Sequence, residues 1–141
     1  MKITVYHGAT QVIEAPICKF GRPNLDFGQG FYVTDLKEQA IKWAQTIAPR
    51  RQEKPLLNIY ELDKDAILSE ARCKIFTAYD KDWLDFIVGN RQGKNPAKDF
   101  DYVEGGIAND RVIDTVRLYM TGFYTVELAL QQLIFHKPNN Q

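Results

Sequence analysis

Two short segments carry the residue types best suited to chemistry, and the first is Tyr6-His7-Gly8-Ala9-Thr10. Residues 2 to 7 alternate apolar and polar side chains and are rich in β-branched residues, which predicts a strand that ends at His7. An imidazole at a strand end is held by a rigid element and can still face a cleft. Gly8 has no Cβ, so a ligand could approach its backbone closely. The pattern predicts a ligand site, and a surface or hydrogen-bonded core histidine is the alternative.

The second segment is Asp26-Phe27-Gly28-Gln29-Gly30-Phe31-Tyr32-Val33-Thr34, in which two glycines lead into an aromatic strand predicted over Phe31 to Thr34. The ring of Tyr32 could stack on a flat ligand. No Gly-Lys-Ser/Thr follows Gly30, and Gly28 and Gly30 precede a strand rather than a helix, so neither a P-loop nor a Rossmann fingerprint fits. An ordinary turn followed by a half-buried tyrosine is the alternative interpretation.

A polar cluster, Asn109-Asp110-Arg111, lies where a predicted strand meets a predicted helix. The guanidinium of Arg111 could bind a diphosphate through paired hydrogen bonds. Asn109 or Asp110 could equally serve as an ordinary helix N-cap. Arg22, which lies between glycine and proline turns, is a second candidate for phosphate binding.

The elements that must position these residues follow from apolar periodicity and from helix breakers. Asp35 and Glu38 form a capping box that predicts a helix ending at Pro49, and Asp80 can cap a helix that ends near Asn90. Two more helices are predicted, one over 110–121 that Gly122 ends and one from 125 onward. Strands are predicted over 56–62, within 67–76 and over 101–108. Strict β-α-β alternation is missing, so an α+β domain is expected.

The composition indicates one globular domain that spans 1–141, with 45% hydrophobic residues and 18 basic against 18 acidic residues. Zero net charge argues against nonspecific electrostatic binding to nucleic acid or to anionic membranes. No apolar run approaches the roughly 20 residues of a membrane-spanning helix, and no secretory signal begins the chain. Cys18 and Cys73 form no CxxC pair, which favours free thiols in the cytoplasm. The two cysteines and two histidines show no spacing typical of metal ligands, so no metal site is expected.

The two segments together resemble the ADP-ribosyltransferase superfamily, in which a His, a Tyr and an acidic or amide residue grip NAD. The closer resemblance is to a bacterial family of that superfamily catalogued as a domain of unknown function. It covers most of the chain and includes five further motifs: Leu25 to Thr34, Glu38 to Ala44, Trp83 to Val88, Ala108 to Arg111, and Ala129 to Leu133. The resemblance implies a split antiparallel β-sandwich with peripheral helices and NAD as co-substrate.

The resemblance also implies roles for individual residues. His7 would hydrogen-bond a ribose hydroxyl, the backbone of Gly8 would hold the nicotinamide carboxamide, and Tyr32 would stack on the nicotinamide ring. Gly28 and Gly30 would let the backbone pass close to the dinucleotide.

The third superfamily position falls on Gln141, which can hydrogen-bond but cannot act as a base. In the family an apolar strand would continue beyond Gln141, so we expect a chain truncated at its C-terminus. Glu104 and Glu127 are the acidic alternatives for this position.

The implied function is NAD-dependent transfer of ADP-ribose to an intracellular macromolecule by a bacterial toxin or effector. Its expected partners are NAD, an unidentified acceptor and an antitoxin protein. One alternative is a catalytically impaired nucleotide- or protein-binding module of the same fold. Another is a metal-free nuclease that uses His7 and His136 as base and acid, for which the spacing gives no support.

Overall fold

The structure is a computed structural model that describes residues 1–108 and 112–133. The described residues form four strands and five α-helices. The strands are β1 (Lys2–Ala9), β2 (Leu56–Asp63), β3 (Cys73–Ile75) and β4 (Tyr102–Glu104). The helices are α1 (Lys37–Arg51), α2 (Lys64–Glu70), α3 (Lys81–Arg91), α4 (Ile113–Met120) and α5 (Val126–Leu133). None of these helices is both long enough and apolar enough to cross a membrane.

The strands form two separate two-stranded sheets. Strand β1 pairs with β2 in antiparallel register from Lys2↔Asp63 to Ala9↔Leu56. Strand β3 pairs with β4 in parallel, which differs from the all-antiparallel arrangement expected. The reason is the connection: residues 76–101 carry α3, and a parallel pair needs a long crossover of this kind. The expected mixture of helices and small sheets is confirmed at this coarser level.

Helix α1 packs on β1 through small side chains. Ala40, Ala44 and Ala48 are buried in this layer, and a Cβ on Gly8 would overlap the Ala40 carbonyl oxygen. Gly8 therefore has a packing reason to be glycine, because the helix backbone approaches the strand closely.

Two expectations about the ends of α1 are wrong. The Thr34 hydroxyl, rather than Asp35, accepts a hydrogen bond from the Leu36 amide, and the helix begins at Lys37 without a side-chain N-cap. Pro49 lies inside the last turns instead of ending the helix. The helix closes beyond it, where the N–H groups of Gln52 and Glu53 bond the Pro49 and Ala48 carbonyls.

The main core lies on the other side of the molecule, among α3, α4 and α5. The fully buried Trp83 anchors it, and its indole N–H donates to the Gly106 carbonyl at 2.7 Å. The predicted cap of α3 is confirmed, since the Asp80 carboxylate accepts from the Trp83 amide at 2.9 Å. The other buried members of this core are Phe27, Phe76, Tyr79, Leu84, Phe86, Ile87, Val112, Val116, Ala129 and Leu133.

One further segment differs from the sequence prediction: residues 31–34 form only one bridge, between Tyr6 and Thr34, rather than a strand. The strand predicted within 67–76 is confirmed as Cys73–Ile75, and the residues before it belong to α2, which the sequence did not predict. Helix α2 was missed because Asp63, which ends β2, also caps the helix by accepting from the Ala66 amide.

Candidate functional site

The imidazole of His7 lies on β1 and is fixed by the backbone of Tyr32. Its Nδ1 is 2.6 Å from the Tyr32 carbonyl oxygen, although the two residues are 25 positions apart in the chain. A carbonyl oxygen only accepts, so Nδ1 carries the hydrogen and Nε2 of the neutral ring keeps its lone pair. Burial lowers the pKa of His7 below the ordinary 6.5, and the hydrogen bond to Tyr32 opposes this only in part. His7 therefore presents a neutral acceptor near pH 7.

One aromatic ring packs on His7, and a second ring packs on the first. The Phe31 ring lies 4.3 Å from the imidazole, centroid to centroid, with a 30° angle between the planes. The Tyr60 ring meets Phe31 edge-on at 5.8 Å, and the Tyr60 hydroxyl donates to the Ile13 carbonyl at 2.6 Å. We call His7, Phe31 and Tyr60 the aromatic cluster. It restricts rotation of the imidazole, because stacking and a hydrogen bond act on the same ring.

Tyr32 points the opposite way, toward the main core. Its ring stacks on Phe27 at 6.3 Å, and its hydroxyl accepts from the Phe27 amide at 2.9 Å and donates to the Gly28 carbonyl at 2.7 Å. Burial raises the pKa of Tyr32 well above its usual range. The hydroxyl thus closes the preceding turn, and the half-buried ring is the part of Tyr32 left for a ligand.

The backbone next to these side chains continues along β1 to Gly8, which is buried. Tyr6 exchanges two hydrogen bonds with Thr34, at 2.8 and 2.9 Å. Continuing that ladder would bring Gly8 opposite Tyr32 with both backbone groups facing it. In the described chain no hydrogen bond joins Gly8 to Tyr32, because the Tyr32 carbonyl bonds His7 instead. The N–H and C=O of Gly8 therefore point away from β2 at the outer edge of β1, and such a pair complements a primary carboxamide.

The turn that leads to Tyr32 is secured by a buried carboxylate that sequence reasoning missed. Asp26 is 8% exposed, and its Oδ1 accepts from Arg91, whose Nε and Nη2 both lie 2.6 Å away. Its Oδ2 accepts from the Ala108 amide at 2.7 Å, and its backbone carbonyl accepts from Asn90 Nδ2 at 2.9 Å. The one feature of the sequence that could have indicated this carboxylate is its position as an acidic residue at the start of a glycine-rich segment. Its partners are 64 to 82 residues away, so the sequence could not reveal them.

The two glycines of the turn serve different purposes. Gly28 has φ +80°, and a Cβ there would come 2.8 Å from the Ala97 Cβ, so the turn itself requires glycine. A Cβ on Gly30 would meet nothing closer than the Tyr32 ring at 3.9 Å. Arg22 is exposed, and among the described residues no ion pair occupies it, so its guanidinium is available to an anion.

Asn109, Asp110, Arg111, His136 and Gln141 lie outside the described residues.

The acidic alternatives to Gln141 lie elsewhere. The Glu104 carboxylate bonds Lys64 at 2.9 Å and the Tyr102 hydroxyl at 2.8 Å. Lys64 follows the end of β2 that pairs with Lys2, which is the end remote from His7. Glu127 is exposed in the first turn of α5, where a carboxylate favours the helix dipole.

Two clefts open at a distance from the aromatic cluster. One, of about 370 Å³, lies between α3 and α4 and is lined in part by Asp85, Lys94 and Tyr119. The other, of about 440 Å³, is lined by α2 and Asp101. Neither contains His7 or Tyr32. No group of three or more His, Cys, Asp or Glu side chains gathers as a metal site would require within residues 1–108 and 112–133.

The fold and site thus define a mixed α/β protein in which the His7 side chain and the Tyr32 backbone meet at the outer edge of β1. The chain belongs to the family described as "Protein of unknown function (DUF3990)", whose model matches residues 3–141. No curated protein and no solved structure matches the chain. The expected kinship with a family of unknown function is confirmed. The ADP-ribosyltransferase assignment has no support from these comparisons.

Proposed function

We propose that this chain is an ADP-ribosyltransferase-like protein that binds NAD at the edge of β1 between Gly8 and Tyr32 and transfers ADP-ribose to an intracellular macromolecule. The observation that carries the proposal is the meeting of His7 and Tyr32 through a 2.6 Å hydrogen bond next to Gly8. The proposal includes the finer fold: the β1–β2 and β3–β4 sheets would belong to the two layers of a split β-sandwich.

The nicotinamide end of NAD would complement the groups at this edge. The Gly8 N–H would donate to the carboxamide oxygen, and the Gly8 carbonyl would accept from the carboxamide nitrogen. His7 Nε2 would accept from a ribose hydroxyl, because Nδ1 is the donor to Tyr32. The half-buried Tyr32 ring supplies an aromatic surface for the nicotinamide. The exposed Arg22 is a candidate for the diphosphate.

In this reaction the main task of the protein is to bind NAD and orient the bond that breaks. Cleavage of the bond between nicotinamide and ribose leaves positive character on the sugar, and nicotinamide departs as a neutral base. A nucleophile of the acceptor then bonds the sugar carbon and loses its proton. Fixing the carboxamide and a ribose hydroxyl at one strand end aligns the breaking bond and lowers the entropic part of the barrier.

Calorimetry with NAD, followed by measurement of nicotinamide release, tests the proposal. We expect His7→Ala to weaken NAD binding on the order of ten-fold or more, which is about 1.4 kcal/mol. Tyr32→Ala should weaken it as well. Tyr119→Phe is the matched control, because it removes a hydroxyl bonded to Asp85 at 2.9 Å in the cleft between α3 and α4. If millimolar NAD neither binds nor raises the melting temperature of the wild-type chain, the proposal fails.

A binding module without transfer activity is the second candidate, and two observations favour it. The Tyr32 hydroxyl is occupied by Phe27 and Gly28, and the Glu104 carboxylate is held by Lys64 and Tyr102. Saturable NAD binding that leaves nicotinamide unreleased after prolonged incubation would select this candidate over the enzyme.

A further inference from the structure

Asp26 is a buried carboxylate that fixes the start of the turn leading to Tyr32. Its two carboxylate oxygens accept from Arg91 and from the Ala108 amide, and its backbone carbonyl accepts from Asn90. The Arg91 guanidinium supplies the positive charge that a carboxylate only 8% exposed requires. Asp26 is therefore attached at three atoms to α3 and to the segment after β4, which fixes its position relative to the main core.

The residues that follow Asp26 hold Tyr32 through hydrogen bonds. The Phe27 amide donates to the Tyr32 hydroxyl at 2.9 Å, and that hydroxyl donates to the Gly28 carbonyl at 2.7 Å. The Phe27 ring is buried in the main core and stacks on the Tyr32 ring. Tyr32 thus takes its position from the two residues directly after Asp26.

The Tyr32 carbonyl, which accepts from His7 Nδ1, is placed by the chain on both of its sides. On the C-terminal side, Thr34 is fixed to β1 by its two hydrogen bonds with Tyr6. On the N-terminal side, the fixed point is Asp26. A change at Asp26 alone should therefore move the carbonyl relative to the imidazole while the β1–β2 pairing stays intact.

We propose that Asp26 is the positioning residue of the candidate site. By anchoring the turn it keeps the Tyr32 carbonyl on His7 Nδ1, which holds the ring hydrogen there and leaves Nε2 as an acceptor. Without that carbonyl, a neutral imidazole exchanges its hydrogen between the two ring nitrogens. Only the form with a free Nε2 accepts from a ribose hydroxyl, a step that rests on the proposed function, whereas the positioning itself requires no NAD.

Nuclear magnetic resonance of the isotope-labelled imidazole nitrogens tests this role in the full chain without NAD. The spectra are recorded at about pH 8, where the ring is neutral, and His7→Gln assigns the signals. We expect the wild type to show a protonated Nδ1 and an unprotonated Nε2. In Asp26→Asn both signals should move toward the average of two exchanging forms. Wild-type signals in folded Asp26→Asn overturn the proposal.

A double variant separates positioning from stability. Asp26→Leu combined with Arg91→Met replaces the pair by apolar side chains of similar size, so no unpaired charge stays buried. It should unfold at a higher urea concentration than Asp26→Asn, yet its His7 signals should still be averaged, because the turn has lost its anchor. Wild-type signals in this variant overturn the proposal even where Asp26→Asn fails to fold.

Gln29→Ala is the matched control within the same turn. The exposed Gln29 amide donates to the Lys19 and Gly21 carbonyls at 2.9 and 2.7 Å, and neither bond involves Asp26. The variant should leave the His7 signals unchanged. Averaging as large as in Asp26→Asn would show that the outer side of the turn sets the imidazole, which contradicts the proposal.

Calorimetry with NAD extends the test to the ligand. The double variant should bind NAD on the order of ten-fold more weakly than the wild type. Equal affinity of the two proteins overturns the step from the imidazole to the ribose hydroxyl. If the wild type itself does not bind NAD, the proposed function fails, and the imidazole signals still decide the role of Asp26.

Discussion

Two regions of the molecule pack with side chains of different size. One is the layer of α1, β1 and β2, and the other is the core among α3, α4 and α5. In the first, alanines and Gly8 bring a helix backbone close to a strand, and few large side chains are buried. In the second, Trp83 and its aromatic neighbours fill the interior. The difference teaches that the small-residue layer depends on the close approach of two backbones at Gly8. The aromatic core depends on large buried side chains instead.

Consecutive residues of one segment join the two regions. Phe31 stacks on His7 in the small-residue layer, while Tyr32 stacks on Phe27 in the aromatic core. Adjacent side chains of an extended segment point to opposite sides, so one dipeptide can contact both regions. The candidate site therefore lies where the two kinds of packing meet, and its geometry depends on each.

Gly8→Ala should produce the largest change and break the small-residue layer. The added Cβ would overlap the Ala40 carbonyl, a backbone atom that cannot rotate away, so α1 must shift from β1. We expect the free energy of unfolding to fall by roughly 3 kcal/mol or more, at the upper end of overpacking effects. Urea denaturation measures it.

Gly30→Ala is the matched control for that change, since a Cβ there meets only ordinary contacts. It should lower the free energy of unfolding by no more than about 1 kcal/mol. Equal losses for the two variants would contradict the close approach of α1 to Gly8.

Asp26→Asn should loosen the tie between the turn and the aromatic core. It leaves the Arg91 guanidinium, only 24% exposed, without its anion, so the free energy of unfolding should fall by about 2–4 kcal/mol. Asp101→Asn removes the partner of another Arg–Asp pair, at 2.9 Å with Arg72 but on the surface, and should lower the free energy of unfolding far less. Thermal and urea unfolding of both variants measure the contrast. A smaller loss for Asp26→Asn than for Asp101→Asn would refute the role of this carboxylate.

The protonation of His7 should produce the smallest change in the free energy of unfolding, and it tests whether the imidazole is buried in the small-residue layer. Its folded pKa is lowered by burial, so the unfolded chain binds the proton more readily. His7 therefore contributes stability that is fully present above the unfolded pKa of 6.5 and is lost as the pH falls toward the folded pKa. The free energy of unfolding of wild type, minus that of His7→Gln, should decrease between about pH 7.5 and about pH 5.5. A flat or rising difference would mean that the ring is not buried as described.

Local patterns in the sequence predicted much of the fold. Asp80 as the cap of α3, the span of β2, and α4 and α5 near Gly122 all follow from capping and apolar periodicity, which act over a few residues. The all-antiparallel sheet and the strand over 31–34 were not found, because strand pairing depends on long-range contacts.

The candidate site was accessible from the sequence only in part. His7 and Tyr32 could be named because their residue types and flanking glycines suit a ligand. The sequence could not show that Tyr32 would contact His7 through its carbonyl while its hydroxyl bonds Gly28. It also could not show the Asp26–Arg91 pair, since its members are 65 residues apart.

Titration of isotope-labelled protein with NAD, followed by nuclear magnetic resonance, tests the central claim most directly. The account predicts that the Gly8 amide and the His7 Nε2 signals shift together and saturate with one binding constant, while the Tyr119 amide stays unchanged. Shifts confined to the cleft of Asp85, Lys94 and Tyr119, with Gly8 and His7 unmoved, would contradict it.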